Sequence, residues 1–249
     1  MKNPVAIITG AGGGIGCAVA VKLARSGWRL VLADRTLSAL ENCRRQCEAL
    51  GATLQCVAGD MRSEKDVAAL VDAALSAFGG CQGFVSSAGV AGSVEAIEDY
   101  PSEIFRQVLE INTLGTFYCL KYALPLLRRS GGSFVAIAST SAIRGRANMS
   151  GYVASKHAVL GLVRSSSLEC VGSHVRVNAV LPGPTQTPMI DDINHMAAQR
   201  SPGERITRAV AAPYGKPEDV ANTVAFLLSN ESSHINGAAL VTDAGSTVA

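Results

Sequence analysis

The chain has 249 residues, 48% of them hydrophobic and 17% charged, with a formal net charge of +2. That length fits one large α/β domain or two small ones and allows burial of roughly three-quarters of the unfolded chain's surface. The small, scattered charge argues against a nucleic-acid or membrane-surface footprint, and no apolar stretch is long enough to span a bilayer.

The opening "MKNPVAIITG" carries a basic residue and an apolar run. The run is too short for a secretory leader and passes into a glycine-rich loop instead of a cleavage site, so a first strand and a cytoplasmic protein are expected. Further strands are predicted at 29–34, 53–59, 83–89, 132–139, 174–183 and 238–245, after the first at 4–10. Helical patterns lie near 15–26, 37–50, 63–78, 102–129, 151–171 and 217–229. Several strands are hydrophobic throughout, as expected when helices cover both faces of a parallel sheet. Strands alternating with helices of ten or more residues form right-handed βαβ units. The expectation is an α/β doubly wound single-domain Rossmann fold, with a seven-stranded parallel sheet, across residues 1–249. The segment 185–213 breaks the rhythm: it is polar, with short helical patches and no strand. Insertions of this size at the carboxyl edge of a parallel sheet act as lids or binding loops, so 188–213 is expected to be a substrate lid.

Seven cysteines occur, at positions 17, 43, 47, 56, 81, 119 and 170, with no C-x-x-C pair. Neither a zinc site nor a redox dithiol is signalled, and no metal is expected. Reduced, mostly buried thiols are the expected state.

The run "TGAGGGIG", Thr9 to Gly16, lies between the first strand and the first helix. Glycines there allow a tight turn and close approach to a phosphate, and the helix N-terminus presents free N–H groups and partial positive charge. The second strand ends in Asp34, at the spacing where an acid grips an adenosine ribose. Its carboxylate accepts hydrogen bonds from ribose hydroxyls but repels a 2′-phosphate, so NAD is favoured over NADP. Arg35 follows and either flanks the adenine or attracts a phosphate.

Tyr152 is the one tyrosine of five with a lysine, Lys156, four residues later. Residues i and i+4 on a helix share a face, with Cβ atoms roughly 5–6 Å apart. A free tyrosine has a pKa near 10, so service as a base at neutral pH needs roughly 4 kcal/mol from the surroundings. A neighbouring ammonium favours the tyrosinate. His157, next to Lys156, points about 100° away around the helix and drops out.

These residues together resemble the short-chain dehydrogenase/reductase family, over essentially the whole chain. The glycine loop is similar to that family's T-G-x-x-x-G-x-G through Thr9, Gly10, Gly14 and Gly16, with Ile15 between the last two. Asp60 resembles the adenine-contacting acid, with Met61 beside it. "SSAG" (86–89) sits where the family has N-N-A-G, and Ser87, Ala88 and Gly89 line the cofactor by resemblance. Pro182, Gly183 and Thr187 fit P-G-x-x-x-T, the threonine being implied to bond the nicotinamide carboxamide. Ser139, thirteen residues before Tyr152, matches the catalytic serine; Asn112 matches the asparagine that holds a relay water.

The resemblance implies reversible hydride transfer between NAD and a secondary alcohol or ketone. Tyr152 is the general acid/base, Lys156 its ribose-binding partner and Ser139 the holder of the substrate oxygen. It also implies a homotetramer. Candidate substrate contacts are Ser139, Ser141, Ile143, Arg144, Met149, Met189 and His195. Arg144, Arg146, Arg200, Arg205 and Arg208 raise an acidic substrate, against which Asp191, Asp192 and Glu204 stand. The alternatives are an NADP-dependent carbonyl reductase of the same fold, a non-catalytic NAD-binding regulator, and an epimerase or dehydratase.

Overall fold

Ile7 and Ile8 show why the first strand is apolar at every position. In the structure, a computed structural model describing residues 3–200 and 214–248, the two side chains enter different cores on opposite faces of one sheet. Successive strand residues point to opposite faces, so a strand covered on both sides has no polar alternation. The seven strands are β1 (Val5–Thr9), β2 (Arg29–Asp34), β3 (Leu54–Ala58), β4 (Gly83–Ser86), β5 (Gly132–Ile137), β6 (Val175–Pro182) and β7 (Ala239–Thr242). All pair in parallel in the order β3-β2-β1-β4-β5-β6-β7. The expected doubly wound sheet is therefore present.

The helices are α1 (Gly14–Arg25), α2 (Leu37–Ala49), α3 (Glu64–Phe78), α4 (Ser102–Val108), α5 (Gly115–Ser130), α6 (Ser150–Glu169), α7 (Pro188–Arg200) and α8 (Pro217–Leu228). One face of the sheet is covered by α3, α5 and α6 through residues such as Leu70, Leu127 and Val163. The other is covered by α1, α2 and α8 through Leu23, Leu40 and Val224. Phe84 and Phe134 are register partners on β4 and β5, and their rings stack at 5.2 Å.

Two expectations change in detail. The helix predicted over 102–129 is broken by a π-helical stretch, Leu109–Leu114, between α4 and α5. Such bulges widen the helix locally and concentrate at functional sites. The lid segment contains one regular helix, α7, and its remaining part, 201–213, lies outside the described residues. All seven cysteines are free thiols, with Cys17 and Cys56 part-exposed and the other five buried. The Cys43 thiol lies near those of Cys47 on its own helix and Cys17 on α1, and these neighbours together with burial push its pKa up.

The chain order of strands reverses between β1 and β4. In open parallel sheets a crevice opens at the carboxyl ends beside such a reversal. Thr9, Ser86, Ile137 and Pro182 end their strands around that point.

Candidate active site

A cleft of about 400 Å³ runs across these carboxyl ends. Its nucleotide end begins with Gly10, which lies at φ +65°, a conformation costly for residues with a Cβ. A Cβ on Gly10 would lie 2.8 Å from the Ala88 backbone, and one on Gly16 would lie 2.1 Å from the Gly10 carbonyl. Both positions therefore require glycine for space. Gly13 caps α1 without a side chain, so the first-turn amides of Gly14, Ile15 and Gly16 open on the cleft they line. That is an anion cradle with the positive end of a helix dipole behind it.

Asp34, Arg35, Asp60, Met61, Ser87, Ala88, Gly89, Pro182, Gly183 and Thr187 also line the cleft, as the sequence predicts. The Asp34 carboxylate is oriented by two backbone donors, Gly12 N–H at 2.9 Å and Arg35 N–H at 2.7 Å. Each oxygen keeps a lone pair for a sugar hydroxyl. Asp60 is paired with Arg62 at 2.6 Å, and that guanidinium holds its carboxyl below the usual range. Asp66 Oδ2 accepts the Asp60 N–H at 3.0 Å, which fixes the turn. Thr9 Oγ1 accepts the N–H groups of both Ser87 and Ala88, at 3.1 and 3.3 Å. Ser86 Oγ meets Thr116 Oγ1 at 3.4 Å, and Thr116 donates to the Asn112 carbonyl at 2.7 Å. A chain of hydroxyls thus links β4 to the π-helical stretch in the "SSAG" variant of this loop. These shapes and donors fit a dinucleotide: an amide cradle for the phosphates and a carboxylate for the ribose.

At the other end, Ser139 follows β5, and its Oγ accepts the Ser141 N–H at 3.0 Å, capping a short 3₁₀ turn over Thr140–Ala142. Tyr152 and Lys156 lie in the first two turns of α6 and are both buried. Burial raises the pKa of the Tyr152 phenol, while a hydrogen bond with Ser139 and the charge of Arg146 pull it down. Lys156 Nζ lies over the Tyr152 ring, 5.6 Å from its centroid, and donates to the Ile137 carbonyl at 2.9 Å. Burial lowers the Lys156 pKa to about 8. Asn112 Oδ1 accepts from Val90 N–H at 2.8 Å, and Nδ2 donates to the Val90 carbonyl and to Ser155 Oγ, each at 2.9 Å. A Cβ on Gly89 would lie 3.1 Å from Asn112 Oδ1 and 3.5 Å from Lys156 Nζ, so the two side chains flank Gly89.

A family profile described as Enoyl-(Acyl carrier protein) reductase matches residues 10–247. The chain belongs to the short-chain dehydrogenase/reductase family. It is an oxidoreductase of that family, and its relatives are named for alcohols and ketones. Cyclohexanol dehydrogenase of Acinetobacter sp. (strain SE19) is 36% identical over 247 residues, covering 99% of this chain and 96% of that protein. Levodione reductase of Leifsonia aquatica is 34% identical over 252 residues, covering 98% and 94%. A crystal structure of levodione reductase matches with TM-score 0.95 at 34% identity, over 100% of this chain and 99% of that one. Carveol dehydrogenase from Mycobacterium avium in complex with NAD matches with TM-score 0.93 at 26% identity, over 100% and 99%.

Within this short-chain dehydrogenase, several expected substrate contacts lie elsewhere. Ser141, in the middle of the 3₁₀ turn, is fully buried. Arg144 Nη1 donates to the Ser246 carbonyl at 3.0 Å, which ties the loop to the C-terminal segment and turns the guanidinium from the cleft. Met149 belongs to a small core with Ala91, Val94 and Ile190. Ile143 is 45% exposed. His195 is exposed and meets Gln199 at 2.9 Å, because α7 presents Met189, Ile190 and Ile193 to the cleft instead. Of the proposed substrate contacts, Ser139 and Met189 do line it.

Residues that the sequence reading did not single out for the site include Val90, Gln107, Ile111, Thr140 and Ile193. Gln107 and Ile111 are four apart, as are Met189 and Ile193. That spacing marks a shared helical face but does not say which face meets the cleft. His157 is exposed, its Nδ1 2.9 Å from the Val153 carbonyl, as its position predicts.

Proposed function

We propose that the protein is an NAD-dependent oxidoreductase acting reversibly on a cyclic secondary alcohol or its ketone, with Tyr152 as general acid/base. One observation carries this reading. A single cleft joins the Asp34 carboxylate and the open end of α1 to the hydrogen-bonded Ser139–Tyr152 pair. Bound NAD would supply the hydride acceptor at the carbinol carbon. Ser139 holds the substrate oxygen, and Tyr152 takes its proton in oxidation and returns it in reduction. The phenol's raised pKa makes it a proton donor at neutral pH, so oxidation accelerates as pH rises. Lys156 binds the nicotinamide ribose, and Thr187 the carboxamide. Asn112 shapes the turn around Gly89 and Val90 and links it to α6 at Ser155.

The cyclic substrate is supported by the apolar side chains Val90, Ile111, Met189 and Ile193 at this end of the cleft and by relatives named for cyclohexanol, levodione and carveol. The reading of 188–213 as a lid is supported by α7, whose Pro188, Met189, Ile190 and Ile193 line the cleft wall. We assign the assembly as a homotetramer in the cytoplasm. The exposed apolar residues Leu114 and Phe117, beside and within α5, and Leu168 near the end of α6 support contact between subunits. Among the described residues no helix is long and apolar enough to cross a membrane.

The test is a screen of cyclic and open-chain secondary alcohols, followed by NADH absorbance and repeated with NADP. The reading expects cyclic alcohols to be oxidised with NAD preferred. Asp34→Ala should reduce the NAD/NADP preference about 10–100-fold, because it removes hydrogen bonds to a charged acceptor. A wild-type preference for NADP would overturn the role given to Asp34.

A further inference from the structure

No C-x-x-C pattern joins Cys17, Cys43 and Cys47; packing gathers them. Cys43 and Cys47, four apart on α2, are buried in the core beneath α1 and α2, and the part-exposed Cys17 of α1 packs against the same core. The Cys17 sulfur accepts an N–H from the Gln46 amide at 3.7 Å. The Cys43 thiol lies beside it as a second donor. Cys17 also closes the first turn of α1, its N–H bonded to the Gly13 carbonyl at 2.8 Å, so its side chain stands near the positive end of that helix. Donors and a helix N-terminus favour thiolate over thiol. The Cys17 pKa is accordingly lowered, chiefly by Cys43, against burial and the Glu218 carboxylate of α8. Cys56 on β3 is part-exposed too, yet burial raises its pKa. Exposure alone therefore does not distinguish the two thiols, and their surroundings do.

We propose that Cys17 is a peroxide-reactive nucleophile, and that Cys43 closes its oxidised form into a disulfide that joins α1 to α2 and weakens NAD binding. The Cys17 thiolate attacks one oxygen of hydrogen peroxide: an S–O bond forms, the O–O bond breaks and hydroxide leaves. The Cys43 sulfur then attacks the sulfenic sulfur. The S–S bond forms, the S–O bond breaks, and the Cys43 proton leaves with the hydroxyl as water. Peroxide takes the two electrons, one from each sulfur, and no other oxidant is required. Cys43 suits the second step because it lies beside Cys17, and the donation that holds its proton is to the sulfur that oxidation consumes.

The link reaches the cofactor site through Gly12. A disulfide sets its sulfurs about 2.0 Å apart, well inside a contact between free thiols, so α1 and α2 must close up. Between the starts of the two helices there is no room for this. A Cβ on Gly12 would lie 2.6 Å from the Ala39 carbonyl of α2 and 2.9 Å from Asp34 Oδ2. Closing up therefore displaces the Gly12 N–H from Asp34 Oδ2, which it meets at 2.9 Å, and turns the carboxylate. This last step rests on the role given to Asp34 above; the thiol chemistry does not.

Three measurements on the full chain test this. Alkylation of the reduced protein by iodoacetamide is timed site by site by peptide mass spectrometry. Disulfides formed with hydrogen peroxide are mapped in the same way. NADH binding is followed by fluorescence before oxidation, after it, and after dithiothreitol. Cys17 should alkylate about tenfold faster than Cys56, the difference in thiolate fraction between a lowered and a raised thiol. Peroxide should give the Cys17–Cys43 disulfide and raise the NADH Kd about tenfold or more, the loss of a hydrogen bond to a charged acceptor. Dithiothreitol should restore it. Cys17→Ser and Cys43→Ala should each keep NADH affinity through peroxide, and Cys43→Ala should stop at a sulfenic acid that dimedone traps. Should Cys43→Ala fail to fold, the disulfide map and the part-exposed Cys17→Ser still decide. Equal alkylation of Cys17 and Cys56, a link from Cys17 to Cys47 instead, or an affinity loss that survives Cys17→Ser overturns the proposal. A mapped Cys17–Cys43 disulfide that leaves NADH affinity unchanged overturns its link to the cofactor. Reduced wild type that forms the disulfide but binds no NADH would uphold the thiol site and refute the cofactor reading.

Discussion

The two ends of the cleft are built from different materials. The nucleotide end is mostly backbone: amides at the start of α1, a left-handed Gly10, and a carboxylate steered by the Gly12 and Arg35 amides. The chemical end is a set of buried side chains from separate elements, with Asn112 from the π-helical stretch, Ser139 after β5, and Tyr152 and Lys156 from α6. Backbone recognition depends on the absence of side chains. Proton transfer depends on their desolvation, which shifts pKa values.

Tyr152→Phe tests this contrast most severely. It should lower kcat by about a thousandfold or more, at the upper end of what a positioned acid/base contributes. NADH binding, followed by fluorescence, should change no more than about fivefold, since one hydrogen bond is worth about 1 kcal/mol. Retained turnover would remove Tyr152 from its role.

Lys156→Met should separate function from stability. The drop of the lysine pKa from 10.5 to about 8 on burial corresponds to about 3 kcal/mol against folding with the ammonium charged. The sign follows from proton counts. Between pH 8 and 10.5 the unfolded chain binds more protons, so wild-type stability rises with pH across that window and the penalty is present in full below it. Lys156→Met should abolish most activity yet raise Tm at pH 7 by several degrees, at about 2–4 °C per kcal/mol for a chain of this size. The gain should shrink as pH rises towards 10.5. A Tm difference independent of pH would show that the ammonium is not desolvated in the folded state.

The smallest expected effect lies away from the cleft chemistry. Ala244 has φ +51°, a conformation that costs a residue with a Cβ about 1–2 kcal/mol. Ala244→Gly relieves this and is opposed by the greater freedom of glycine in the unfolded chain, about 0.4–1 kcal/mol. A rise in Tm of about 1–3 °C by thermal denaturation is expected. A fall would mean that the Ala244 methyl packs better than its backbone angle costs.

What can be read along the chain is what depends on local periodicity or on a fixed offset. The seven strands, the glycine loop, the Asp34 spacing and the Tyr152–Lys156 helical face all belong to this class. Each follows from the pleat, the helical turn or the length of a βα unit. Direction around an element is a different matter. Arg144 and Arg146 are equivalent in sequence, yet one meets the Ser246 carbonyl and the other the cleft. His195 and Ile193 share a helix, and packing decided that Ile193 faces inward. The π-helical stretch at 109–114 leaves no mark in an apolar pattern that reads as one helix. Cys17 joins Cys43 and Cys47 because α1 and α2 pack side by side. The sequence by itself determined the seven strands and the parallel, doubly wound class of the fold, and it marked the glycine loop, Asp34 and the Tyr152–Lys156 pair that the fold brings to one cleft. Tertiary packing alone decided which side chains enter the cleft and how strongly burial shifts Tyr152 and Lys156. Desolvation and orientation are properties of the assembled surface, not of any segment of it.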